Sequence, residues 1–326
     1  MTSCSSQWQR MQMYGFLCAF DVALLQIIHA VVFLQHIETR SGRRQAVLSS
    51  DGICNWLPIA WKINDEAFTN TVKGRSWLRD FDRIYLTGDT HADFEDLILQ
   101  SIHDGLTKRD LLIILGDVGI NYFGGIRDRM HKDMLAQIPS TILCVRGNHE
   151  MRPMDPELNG SYHEIQWMGD KAYIEERYPR FIMAYDAARY QINGRDFLVI
   201  GGAYSVDKPF RLQRGYRWFA DEQLTEEEMK AIRQKVAEHG NREDVILAHT
   251  CPYDHRPVEA FLSGLDESNV DHTMEHFLQE ITDTAEFNAF YCGHWHIEKQ
   301  DGKIRFLFHE VIVLENDPSQ PFLSTV

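Results

Sequence analysis

From Arg83 onward, short apolar runs alternate with stretches whose apolar residues recur at helical spacing. Ile84-Tyr85-Leu86 predicts a strand ending at Gly88-Asp89, and Phe94, Leu97, Ile98 and Ile102 predict a helix behind it. Leu111 to Leu115 is a second strand ending at Gly116-Asp117, followed by a helix over Ile126 to Gln137. Thr141-Ile142-Leu143-Cys144 is a third strand, bounded upstream by Pro139-Ser140 and leading into Val145-Arg146-Gly147-Asn148-His149-Glu150. Strands alternating with helices predict a sheet with helices packed on it. Residues 151–206 are less regular, but Phe181 to Ala184, Arg189 to Ile192 and Phe197 to Ile200 have strand character. Asn193-Gly194 between two of them predicts a hairpin, since both turn positions need positive φ. Thr225 and Glu228 form a capping-box pair that opens a helix through Met229, Ile232 and Val236, which Gly240 ends. Val245-Ile246-Leu247 is a strand ending at Ala248-His249, and a helix is predicted over Val270 to Ile281. Ala289 to Cys292 is a strand ending at Gly293-His294, and residues 304–313 give a last one.

The first 80 residues differ from this pattern. Residues 14–37 are largely apolar, interrupted by Asp21, Gln26, His29, Gln35 and His36, which fall within about half of a helical circumference. An amphipathic helix packing on the body or on another subunit accounts for them, as does a membrane-associated or targeting segment, or a poorly ordered one. The stretch is long enough to span a bilayer, but Asp21 and two histidines make a span unfavourable. Residues 1–80 are therefore read as an N-terminal extension, and residues 81–326 as the catalytic body.

A chain of 326 residues buries a sizeable core. The formal net charge of −15 argues against non-specific binding to nucleic acid or an anionic membrane. It does not exclude a phosphorylated substrate, because bound cations reverse the local field. The six cysteines include no close pair and no C-x-x-C, and Cys144 and Cys292 fall in or beside apolar runs. They are expected to be reduced, in a cytoplasmic setting.

The candidate chemistry lies where the strands stop. Five apolar runs end in groups able to bind a metal: Asp89 with His91, Asp117, Asn148 with His149, His249, and His294 with His296. In four of the five a glycine immediately precedes the first of these residues. A lone Asp or His at a strand end is ordinarily a turn residue or a satisfied core group. If the five strands share a sheet and present the same end, the groups converge, as ligands do at the carboxyl edges of open α/β sheets. Carboxylate, imidazole and amide oxygen without thiolate suit Mn, Fe, Zn or Co. The donors outnumber what one ion needs, so two divalent transition-metal ions are expected, with Asp117 as the bridging carboxylate.

Gly88-Asp89-Thr90-His91, Gly116-Asp117, Gly147-Asn148-His149-Glu150, Ala248-His249 and Gly293-His294-Trp295-His296 together resemble, in order, the signature of the calcineurin-like metallophosphoesterases. The resemblance spans residues 83–296. It implies an α/β fold, a two-sheet sandwich flanked by helices. It also implies one ion held by Asp89, His91, Asp117 and His296, and a second held by Asp117, Asn148, His249 and His294. Hydrolysis of a phosphomonoester or phosphodiester would then use hydroxide held between two dications. His149 is the candidate general acid for the leaving oxygen, with a supporting role beside the metals as its alternative. Arg146 is a candidate clamp for a phosphate oxygen, and Glu150 a support for the shell. Arg-Gly-Asn-His-Glu also resembles the Ser/Thr protein phosphatases, but where that branch carries an acidic residue and an arginine after the metal Asp, this chain has Ile120 and Asn121.

Lys208, Arg211, Arg214 and Arg217 recur at every third residue, interleaved with Phe210, Tyr216, Trp218 and Phe219. This segment reads either as a loop holding a phosphate-bearing substrate or as a solvated loop with its aromatics folded onto the body. Expected substrates are a phosphorylated small molecule, a nucleotide or a phosphoprotein. The alternative is a non-catalytic metal-binding scaffold that engages partners through its N-terminal extension.

Overall fold

The computed structural model describes residues 80–261 and 268–314. Residues 1–79 of the N-terminal extension, including 14–37, lie outside the described residues. Among those described, no helix is long and apolar enough to cross a membrane.

Two sheets carry the fold. β1 (Ile84–Thr87), β2 (Leu111–Ile114) and β3 (Thr141–Cys144) are parallel neighbours in a seven-stranded sheet. That sheet continues through β6 (Phe181–Ala184) to the antiparallel hairpin of β4 (Tyr162–Trp167) and β5 (Asp170–Glu175). The second sheet has six strands. β7 (Arg189–Ile192) and β8 (Arg195–Ile200) form the expected hairpin across Asn193-Gly194, with φ of 50° and 74° at the turn. β8 is followed in parallel by β9 (Arg242–Ala248) and β10 (Glu286–Cys292).

β1, β2, β3 and β6 are buried almost throughout because both of their faces are covered. Side chains alternate between the faces. Ile84, Leu86, Ile113 and Leu143 from the first sheet meet Val199, Leu247 and Tyr291 from the second in the central layer. Tyr85, Leu112 and Ile142 face outward onto α1 (Glu95–His103) and α2 (Gly125–Leu135), through Leu97 and Leu135. On the opposite face, Leu198, Ile246 and Phe290 pack with Met229, Ile232, Phe277 and Leu278 of α4 (Glu226–Glu238) and α5 (Thr273–Thr284). The capping box at Thr225 and Glu228 is formed. The result is a two-sheet sandwich flanked by helices.

Two sequence expectations change. The run 304–313 is two strands in different sheets, β12 (Ile304–Phe306) beside β10 and β13 (Ile312–Leu314) antiparallel to β1, with β11 (Lys299–Asp301) pairing β12. Between them, one carboxylate oxygen of Glu298 accepts the backbone N–H groups of Phe308, His309 and Glu310, which stabilises the turn from one sheet to the other. The basic segment is not a loop: α3 (Lys208–Arg214) occupies most of it.

One buried carboxyl sets a pH dependence for the fold. Glu275 on α5 is 3% exposed, and its Oε1 accepts from the Thr250 hydroxyl at 2.9 Å. Its Oε2 lies 3.8 Å from His272 Nδ1. Burial pushes its pKa from 4.5 to about 7, with the Thr250 bond and Arg256 opposing and Asp271 adding to the shift. The folded state thus prefers the neutral acid. That preference costs nothing below the unfolded pKa, and the stability is lost as pH rises from the unfolded value through about 7. Glu275→Gln should therefore stabilise the metal-free protein at pH 8 by on the order of 3 kcal/mol relative to its effect at pH 4.5. Urea unfolding at the two pH values measures this, and an equal effect at both would refute it.

Candidate metal centre

The five strands do not share one sheet. β1, β2 and β3 belong to one and β9 and β10 to the other, so the groups converge across the end of the sandwich. Registration places them there. Thr87 pairs with Ile114 and Ile114 with Cys144, so three parallel strands stop at one level. In the other sheet Leu247 pairs with Tyr291, and β9 and β10 stop together.

The residues beyond these ends meet. His249 Nε2 lies 2.8 Å from Asn148 Oδ1, and His294 Nδ1 lies 3.1 Å from the same oxygen. His91 Nε2 faces His296 Nε2 at 3.0 Å. Asp117 Oδ2 sits 3.6 Å from His249 Nε2, 3.8 Å from His91 Nε2 and 3.9 Å from His149 Nε2. Two triads have ligand atoms mutually within 4.8 Å, Asp89 with His91 and His296, and Asp89 with Asp117 and His249. Asp89, Asp117, Asn148 and His249 are each at most 2% exposed.

Four of the donors are held from behind. His249 Nδ1 lies 2.8 Å from the Leu115 carbonyl, which fixes its proton there and leaves Nε2 for the site. The two oxygens of Asp89 accept the His294 backbone N–H at 2.9 and 2.7 Å. Asp117 Oδ1 accepts the His149 backbone N–H at 2.8 Å, which leaves Oδ2 facing the imidazoles. The Asn148 amide donates to Ser205 Oγ at 2.9 Å, and Ser205 donates to Glu222 at 2.5 Å. That chain turns Oδ1 inward. Ser205 and Glu222 carry no local sequence signal, and sequence reasoning missed them. Glu150 accepts the Gly147 N–H at 2.6 Å, the supporting role expected of it.

The backbone is specialised in the same place. His91, Asp117, His294 and His296 all have positive φ, of 44°, 47°, 67° and 51°. Non-glycine residues reach that region at an energetic cost, one met where the surrounding structure enforces it. Gly147 is required for a different reason: a Cβ there would lie 2.0 Å from Asp117 Oδ1.

The electrostatics fit a cation. Burial holds His294 and His296 low, His296 at about 3, with His249 and His91 respectively adding repulsion. Burial also lowers His91. Neutral imidazoles with available lone pairs are what a metal ion requires. Burial lifts the Asp89 carboxyl to about 7, with Asp117 contributing. Burial opposes charge on His249, yet Asp117 and Asp89 outweigh it and raise that ring to about 9. His249 is thus the counter-charge of the carboxylate pair, a place that a divalent ion takes more fully. Mixed nitrogen and oxygen donors facing one another without a thiolate suit a divalent ion.

Two other expectations fare differently. His149 lies beside this cluster. Its pKa is brought down to about 4, first by burial and then by Arg211, with Asp117 opposing. Arg146 is not placed to clamp a phosphate. It is 5% exposed; its Nε donates to Asp186 at 2.8 Å, Nη1 to the Glu222 carbonyl at 2.8 Å and Nη2 to the Gly201 carbonyl at 3.3 Å. Its guanidinium ties β3 to the segment after β8, and removing it would leave those buried carbonyls unpaired.

The sequence profile of the calcineurin-like phosphoesterase family matches residues 82–298, more than half of the chain. Comparison with curated proteins gave no match. Among solved structures, TT1561 of Thermus thermophilus is similar at 14% identity and a TM-score of 0.39, covering 72% of this chain and 98% of its own. Phosphopantetheinyl hydrolase (PptH) from Mycobacterium tuberculosis is similar at 15% identity and a TM-score of 0.35, covering 69% of this chain and 88% of its own. With the profile spanning all five strand ends, the chain belongs to the calcineurin-like phosphoesterase family.

Proposed function

We propose that the protein is a two-metal hydrolase of phosphoesters. The observation that carries the reading is the placement of Asp117 Oδ2 between His91 Nε2 and His249 Nε2, 3.8 and 3.6 Å away, beside the convergence of His249 and His294 on Asn148 Oδ1. Asp89, His91, Asp117 and His296 would hold one ion, and Asp117, Asn148, His249 and His294 the other. When bound, such ions neutralise the phosphate charge and lower the pKa of water.

The chain's own residues do the rest. Asp117 keeps one oxygen on the His149 N–H and offers the other to the site. Ser205 holds the Asn148 amide so that its oxygen, not its nitrogen, faces the cluster. Four of the five imidazoles at the site are assigned to metal binding. The fifth, His149, is assigned proton transfer to the leaving oxygen through Nε2, the nitrogen 3.9 Å from Asp117. For that step the ring must first take a proton at Nε2, and the neighbouring Asp117 carboxylate favours the charged form.

The test is purified protein with added manganese, assayed side by side on an aryl phosphomonoester, an aryl phosphodiester, cyclic nucleotides, a phosphopeptide and short DNA. Turnover of at least one ester that is lost on chelation and restored by metal is expected. Metal bound with no turnover of any ester would instead identify a binding scaffold.

A further inference from the structure

The cations at 208, 211, 214 and 217 diverge. Lys208 Nζ sits 3.9 Å over the Trp218 ring, Arg214 lies 5.5 Å over the Phe210 ring, and Arg217 donates to Glu157 at 2.8 Å. Arg211 turns inward, and its side chain is 16% exposed. Its Nε is fixed by Asp207, one turn earlier, at 2.8 and 2.7 Å from the two carboxylate oxygens. Its Nη1 is fixed by the Tyr122 hydroxyl at 3.1 Å and by the Arg217 carbonyl at 3.4 Å. These contacts direct Nη2 at His149 Nε2, 3.1 Å away. That is the ring nitrogen facing Asp117, with the Asn148 amide nitrogen 3.3 Å from it.

Three of the guanidinium contacts thus orient the group, and the fourth points it at the site. The fourth partner is a neutral ring nitrogen, which an anionic oxygen outcompetes as an acceptor. We propose that Arg211 is a substrate-contacting residue. Its Nη2 leaves His149 Nε2 for a non-bridging oxygen of the bound phosphoester, and the exchange frees Nε2 to take a proton from solvent and pass it to the leaving oxygen. The inference rests on the phosphoesterase reading and names a residue that contacts the substrate. The charge of Arg211 also works in this direction, because a fixed cation beside the site favours an anion there. The arrangement divides the basic segment into one arginine that reads the substrate and three cations that pack on their own surroundings.

The test uses the full-length, metal-loaded protein. It measures KM for an aryl monoester and an aryl diester, and the Kd of inorganic phosphate by calorimetry. Arg211→Ala should raise both KM and phosphate Kd by about tenfold to a hundredfold, the range for a lost charged hydrogen bond. Arg211→Lys should recover part of this, because it keeps the charge but not the oriented fork. Arg214→Ala should change neither. Phosphate Kd and KM within twofold of wild type in Arg211→Ala would overturn the assignment. Should Arg211→Ala fail to fold, Arg211→Lys removes the oriented Nη2; a severalfold rise in phosphate Kd supports the proposal and an unchanged value overturns it. Phosphate binding without turnover would end the hydrolysis reading while Arg211 is still judged on phosphate Kd. Turnover unaffected by Arg211→Ala would sink Arg211 alone, and neither binding nor turnover would sink both.

Discussion

Asp117→Asn is expected to lower kcat/KM by ~10³-fold or more and to reduce the metal retained after gel filtration. The size follows from what the carboxylate does. Oδ1 is held by the His149 N–H, and Oδ2 lies among His91, His149 and His249 at 3.6 to 3.9 Å. An asparagine keeps the volume but offers one oxygen in place of two. If the amide oxygen keeps the His149 N–H, the amide nitrogen faces the imidazoles and cannot ligate. If it turns, the backbone bond is lost. The variant also removes a negative charge from a buried position, Asp117 being 2% exposed. Losing a residue that merely orients a ligand already costs 10–100-fold, and a carboxylate with the proposed bridging role should cost more. Metal analysis, circular dichroism and kcat/KM on one preparation check this. A folded variant that retains both its metal and its activity would remove Asp117 from the bridge.

The parts of the fold legible in the sequence are the local ones. β1, β2 and β3 are short apolar runs with glycine at their ends, the β7–β8 turn is an Asn-Gly pair, and α4 opens on a capping box. The β4–β5 hairpin was not legible. Its strands carry His163, Glu164, Gln166 and Lys171 on exposed or half-exposed positions, and its turn is Met168-Gly169, with φ of 48° and 97°. Nothing in that dipeptide signals a turn as Asn-Gly does. The final apolar run gave no hint that it divides between sheets, because an apolar pattern reports burial and not partner.

The candidate site follows the same division. Every proposed donor follows an apolar run, so the donors could be found one by one. That three came from one sheet and two strand ends from the other could not be read from spacing, and the resemblance alone supplied the sandwich. Arg146 shows the limit. Its place beside Asn148 suggests chemistry, but its partners Asp186 and Glu222 lie 40 and 76 residues further on. Arg211 is the converse case. In the sequence it is one of four equivalent cations, and only Asp207, Tyr122 and His149 distinguish it.

The glycines before the donors give the second large effect. Gly116→Ala should destabilise the protein by about 3 kcal/mol or more and weaken metal binding together with it. Two costs add at this position. Gly116 has φ of +98°, a conformation strained for any side chain, and a Cβ there would fall 2.1 Å from His249 Nδ1. The ring cannot step aside cheaply, since it is fully buried and Nδ1 is tied to the Leu115 carbonyl at 2.8 Å. Moving it also withdraws Nε2 from Asn148 Oδ1. Gly105→Ala isolates the first cost. That glycine also has positive φ, +62°, but nothing lies within 4 Å of its Cβ position. It should lose only the strain, about 1 kcal/mol, and keep its metal. Urea unfolding and metal titration of both variants separate the two costs. Equal losses in the two proteins would mean that the contact with His249 carries no weight, and that the glycine before Asp117 serves the backbone alone.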